Sequence, residues 1–113
     1  MSTLLAFYRR PAGDDDAVAA FEKQYAETHL PLIARLPGLR ALRVARVRRV
    51  IAGQSDAALV ARMNFDDWDA AKAALNSDEM RAAGDNLAAI GGDDLLTLLV
   101  VDEARDLIPE EAP

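Results

Sequence analysis

Near its end the chain carries Leu95 to Val101 (LLTLLVV), a run apolar on both sides of a strand, and this limits the possible folds more than any other feature. Alternation places Leu96, Leu98 and Val100 on one face and Leu95, Leu99 and Val101 on the other. Thr3 to Arg9 (TLLAFYR) reads the same way, with Leu5 and Phe7 opposed by Leu4, Ala6 and Tyr8. An antiparallel sheet with one face in water shows polar alternation there. These strands do not, so both faces of their sheet need a cover. The sequence contains no cysteine and one histidine, which excludes a disulfide framework and thiolate chemistry. The fold must rest on apolar burial.

A length of 113 residues fits one domain, able to bury roughly 65% of its unfolded surface. After the first strand, Arg10-Pro11-Ala12-Gly13 makes a turn, and Asp14, Asp15 and Asp16 cap a helix running through Val18, Phe21, Tyr25, His29, Leu32, Ile33 and Leu36. Pro31 cannot donate to the Glu27 carbonyl, so this helix should kink, or end near Thr28 and restart with Pro31 in a first turn. Pro37-Gly38 closes it. Leu39 to Ile51 reads as a second strand, Ala52 to Asp56 as a turn, and Ala57 to Phe65 as a third strand with Leu59, Ala61, Met63 and Phe65 on one face. Asp66-Asp67 then caps a helix whose stripe is Trp68, Ala71 and Leu75. Ser77 caps a further piece with Met80, Ala83, Leu87 and Ile90 inward, ended by Gly91-Gly92. With Leu95–Val101 as the last strand, the order is βαββαβ. That is an α+β, ferredoxin-like arrangement of a four-stranded antiparallel sheet with helices on one face, spanning residues 1–101. Residues 102–113 form an acidic tail in which only Leu107 and Ile108 could pack.

Helices on one face leave the other apolar face bare, and a second copy packing sheet against sheet is the simplest cover. A homodimer is expected. Five arginines between positions 40 and 49 (Arg40, Arg43, Arg46, Arg48 and Arg49) suit an edge strand that discourages further pairing. A net charge of −6 and the lack of aromatic stacking residues beside them argue against a nucleic-acid partner. No stretch approaches the roughly 18 uncharged apolar residues of a membrane span, and no signal-like start is visible. A cytoplasmic location is expected.

Chemistry points to His29. An imidazole titrates near neutrality, and Phe21, Tyr25 and His29 recur at steps of four along one helix face. Tyr8 can point from the first strand toward that face, so two phenols and one imidazole could meet in an apolar cavity suited to a small hydrophobic molecule. Each of these three residues could equally be a core group, the tyrosines with hydroxyls reaching water and the histidine satisfied by a carbonyl. The missing cysteines and single histidine argue against a catalytic zinc site, and no phosphate-binding loop or nucleophile elbow is present. No metal or cofactor is expected.

The residues Phe21, Tyr25, His29-Leu30-Pro31-Leu32 and Leu36-Pro37-Gly38-Leu39 resemble the EthD-like family of the dimeric α/β-barrel superfamily. The resemblance runs from Tyr8-Arg9-Arg10 to Phe65, Ser77-Asp78-Glu79 and Asp85, about residues 3 to 101. It implies a ferredoxin-like protomer, a dimer with facing sheets and a cavity between sheet and helices. Related families include cofactor-free monooxygenases, polyketide cyclases and lactone isomerases. His29 matches the helix histidine of the family and Tyr25 a position where an aromatic residue is usual, whereas Trp68 and Asn86-Leu87 depart from its pattern.

The resulting expectation is a pocket with His29, Tyr25 and Tyr8 as catalytic candidates and Phe21, Ile33, Met63, Phe65 and Leu87 as substrate-binding candidates. His29 would act as general base on a hydrophobic aromatic or polyketide-like compound, in a cofactor-independent isomerase, cyclase or monooxygenase. The alternative is a non-catalytic accessory or carrier protein.

Overall fold

The computed structural model describes residues 1–102; the expected packing of Leu107 and Ile108 lies outside them. Strand β1 is Ser2–Arg9, helix α1 Asp15–Gln24, β2 Ala41–Arg46 and β3 Ala57–Phe65. Helices α3 (Trp68–Leu75) and α4 (Asp78–Ala89) follow, and β4 is Leu96–Asp102. Between α1 and the short helix α2 (Leu30–Ile33) lies a π-helical turn, Tyr25–His29. All strand pairs are antiparallel in the order β2-β3-β1-β4. This is the α+β ferredoxin-like fold, with all four helices against one face of the sheet.

Each helix start follows from its capping side chain. The carboxylates of Asp14 and Asp67 accept from the Ala17 and Ala70 amides, and the Ser77 hydroxyl accepts from the Met80 amide. The break at Pro31 follows the second alternative in that the helix restarts with the proline in its first turn, but a widened turn, not a stop, joins the two pieces. The Leu30 amide reaches back five residues to the Tyr25 carbonyl, so the helix widens just ahead of the proline instead of leaving a clash with Glu27. The chain then re-enters α geometry with Pro31 in the first turn of α2.

The core lies between the helices and the inward faces of β1 and β3. Leu4, Ala6 and Tyr8 alternate inward on β1, opposite Met63, Ala61 and Leu59, and Phe65 is completely enclosed. Gly92 lets α4 close against α1, since a Cβ there would lie 2.6 Å from Leu87 Cδ1 and 2.9 Å from Phe21 Cε1. Two expectations need correction. Trp68 is 43% exposed and the stripe of α3 is carried by Ala71 and Ala74; at the first position after the Asp67 cap, the indole lies at the rim of the helix layer. The second strand stops at Arg46, although Val47 still donates to the Ala58 carbonyl, because the chain then leaves the sheet toward the turn at Gly53.

The second sheet face is bare in the single chain. Register places Leu5, Leu99 and Arg62 abreast on it, with Phe7 beside Val60. On the helix side the cover also fails at β4: Leu98 is 40% and Val100 46% exposed although they stand beside the buried Ala6 and Leu4. No helix among the described residues is long and apolar enough to cross a membrane.

Candidate functional site

The π-helical turn sets the direction of the His29 ring, which faces α4 on one side and the Tyr25 ring on the other. Phe21, Tyr25 and His29 form a short column, with ring centroids 6.1 Å apart for the first pair and 5.4 Å for the second. Tyr8 joins from β1, its ring edge-on to Tyr25 with centroids 4.9 Å apart. All four rings are buried.

Burial also sets their protonation. Removal from water pushes the His29 pKa below its ordinary value, while the Asn86 side chain and the Ala83 backbone act in the opposite direction and offset part of that shift. The ring is therefore neutral at physiological pH. Its Nδ1 is buried without a hydrogen-bond partner, the one side-chain nitrogen or oxygen in that state among the described residues. Both phenols are pushed upward, chiefly by desolvation. Their mutual interaction lowers the Tyr8 pKa somewhat and raises that of Tyr25 further.

Beside the imidazole is a cavity of ≈ 60 Å³. Tyr8, His29, Ile33, Met63 and Leu87 line it. Three residues expected there are placed elsewhere. Tyr25 stands behind Tyr8 and His29, Phe65 packs against the Pro37-Gly38 turn with its Cδ1 3.8 Å from the position of a Gly38 Cβ, and Phe21 faces a separate groove of ≈ 800 Å³ on the surface between α1 and the end of α4. The groove is wide and open, and apart from Asp94 at its rim its walls carry no ionisable group. The smaller cavity is the one lined by titratable side chains of the expected site, His29 and Tyr8.

Met80, Gly84, Leu96 and Leu98 also line that cavity. The α4 pair was within reach of the sequence: once Ser77 fixes the start of α4, Met80, Ala83, Gly84 and Leu87 fall on one face at helical spacing. Leu98 required the sheet order. Among the described residues no group of three or more His, Asp or Glu side chains is placed to hold a metal ion.

Comparison with known proteins agrees with this architecture. A family model described as the EthD domain matches residues 16–93. The crystal structure of an ethyl tert-butyl ether D (EthD) family protein from Bacillus halodurans is 34% identical, covers 92% of this chain and 99% of its own, and superposes with a TM-score of 0.79. A dimeric ferredoxin-like protein of unknown function from Jannaschia sp. is 21% identical over 91% of this chain and all of its own, with a TM-score of 0.63. SnoaB, a cofactor-independent oxygenase from Streptomyces nogalater, is 24% identical over 96% of both chains, with a TM-score of 0.60. At those identities the last two speak to fold alone. No curated protein matches the chain.

Proposed function

The chain belongs to the EthD domain family, and from that premise we propose that it binds a small hydrophobic molecule and acts on it without a cofactor, His29 serving as general base. The observation that carries this reading is the buried, unpartnered Nδ1 on a neutral imidazole beside an apolar cavity. A buried acceptor left unpaired costs about 1–3 kcal/mol, a deficit that a ligand hydroxyl or acidic C–H would recover once the ring turned Nδ1 toward the cavity. In the neutral tautomer with its proton on Nε2, Nδ1 is the lone-pair acceptor.

In this mechanism His29 takes a proton from an acidic carbon or phenol, and the electron pair stays on the substrate as an enolate or phenolate. Tyr8, protonated and lining the cavity, donates to the developing oxyanion. Tyr25 positions Tyr8. Ile33, Met63 and Leu87 supply apolar contact. One general base typically gives ~10²- to 10⁴-fold acceleration, so the substrate must already be activated, as aromatic and polyketide-like compounds of the isomerase, cyclase and monooxygenase classes are.

The functional unit is a homodimer. Leu5, Phe7, Val60 and Leu99 form an apolar surface across the open sheet face, of the kind a second copy buries. The Jannaschia relative is described as dimeric. A cytoplasmic setting fits a cysteine-free chain.

Replacing His29 by alanine tests the base role, with turnover and binding measured on a panel of acidic phenols and 1,3-diketones. Turnover falling ~10²-fold or more, with affinity retained, is the expected result. Undiminished turnover would leave the second reading, an accessory protein that carries the compound, which the almost wholly apolar cavity lining equally favours.

A further inference from the structure

A glycine in the middle of a helix is among the least favourable choices, and α4 places Gly84 there, between Ala83 and Asp85 and one turn after Met80. No turn or positive φ requires it: Gly84 is absent from the residues with left-handed backbone. A Cβ built at Gly84 would meet nothing within 4 Å, whereas one at Gly92 would collide. Packing does not demand the missing side chain either. Gly84 is exposed to solvent and yet lines the cavity beside His29.

Those facts locate the mouth. The cavity floor is made of enclosed residues, Ala6, Tyr8, His29, Ile33, Met63, Ala83 and Leu87. Of the remaining lining residues, Gly84 is exposed, Leu98 is 40% exposed, and Met80 and Leu96 are half-buried. The exposed pair lies on α4 and β4, the side where the helix layer fails to cover the sheet edge. Helix side chains lean toward the N-terminus, so any group at position 84 would lie back over Met80 and across the opening.

We propose that the gap between α4 and β4, kept open by the absence of a side chain at Gly84, is the route by which the substrate reaches His29, and that it selects for molecules longer than the cavity. This rests on the cavity being the ligand site. A volume of ≈ 60 Å³ is well short of the roughly 300–1,000 Å³ of common ligand pockets. The substrate class is therefore an elongated hydrophobic compound. Its acidic end lies against the imidazole and its apolar remainder lies in the gap along Leu96 and Leu98. Met63 and Met80 are flexible enough to repack around the inserted end.

The native chain contains no cysteine, which makes the route directly measurable. Met63→Cys puts a single thiol on the cavity floor, and its rate of modification by methyl methanethiosulfonate is compared in chains carrying Gly84, Gly84→Ala, Gly84→Leu or Gly84→Trp. A portal at this position predicts slowing in order of bulk, about two-fold for alanine and at least ten-fold for leucine and tryptophan. Labelling through unfolding predicts the order of helix propensity, with the parent glycine fastest, then tryptophan and leucine, and alanine slowest. That order, or equal rates throughout, would overturn the proposal. If Met63→Cys does not fold, sulfoxidation of native Met63 by chloramine T, read by peptide mass in the same Gly84 series, makes the same discrimination. Neither readout passes through the imidazole, so failure of the general-base reading, seen in His29→Ala turnover, is separable from failure of the route.

Discussion

The Tyr8 and Tyr25 rings meet edge to face, centroids 4.9 Å apart and planes at 68°, and so join the first strand of the sheet to the widened turn that carries the histidine. The contact places a polarised ring edge on an aromatic face, an arrangement worth about 0.5–1.5 kcal/mol beyond area burial. It also couples two phenols out of water. Both are raised above the ordinary tyrosine value, so the folded chain keeps its protons where the unfolded chain loses them. Stability from this pair is complete below pH ~10 and is lost as pH rises above it.

These are the only two tyrosines in the sequence, so phenolate absorbance near 295 nm reports them alone. The expected titration shows no reversible step near pH 10 and a rise that coincides with loss of folded structure by circular dichroism. A simple ionisation at the ordinary value in the folded protein would show that the rings are solvated.

For His29 the sign is opposite. Burial lowers its pKa in the folded state, so below the ordinary histidine value of ~6.5 the unfolded chain binds the extra proton first. Stability should decline as pH falls from ~6.5 toward the lowered folded value and then level off with respect to this group. The acid limb of kcat/KM should have its midpoint below ~6.5. Urea denaturation at several pH values, with His29→Gln as the reference, checks the first; the pH–rate profile checks the second. A stability difference between the two chains that does not vary with pH would contradict the assignment.

Leu99 is 47% exposed on the bare sheet face beside Leu5. Leu99→Lys puts a charge at the centre of the surface assigned to the second copy. Sedimentation velocity should show a dimer for the parent and a monomer for the variant at micromolar concentration, and a parent that sediments as a monomer would remove the assembly.

Phe65 and Trp68 give a contrast within four residues. Phe65 is 0% exposed and Trp68 43% exposed. Phe65→Ala should cost about 3–5 kcal/mol through lost burial and the cavity left behind. Trp68→Ala should cost no more than about 1 kcal/mol. Chemical denaturation of both variants measures the difference, and equal costs would mean that the indole packs in the dimer.

The strands and caps were legible because each has a local cause. Alternation from Leu59 to Phe65 and the hydroxyl or carboxylate ahead of each helix needed no knowledge of distant residues. Pro31 announced a disturbance but not its form, since a kink, a stop and a widened turn all relieve the same clash. Trp68 misled because spacing assigns a helix face without saying how far the sheet extends beneath it. At the site, the Phe21, Tyr25 and His29 column and the approach of Tyr8 followed from period and strand direction. Which of them touch the cavity did not. Phe21 and Phe65 are drawn to other neighbours, and Leu98 reaches the opening only through the placement of β4 beside β1, a pairing of residues far apart in the chain.

The five-residue turn from Tyr25 to His29 takes up one residue more than an α-helical turn and hands the chain on to α2 in line. Loss of a single codon inside that stretch would return the backbone to ordinary helix, bring back the proline's clash with the carbonyl one turn earlier, and set a different side chain in the imidazole's berth. The extra residue therefore serves the proline and the histidine at once.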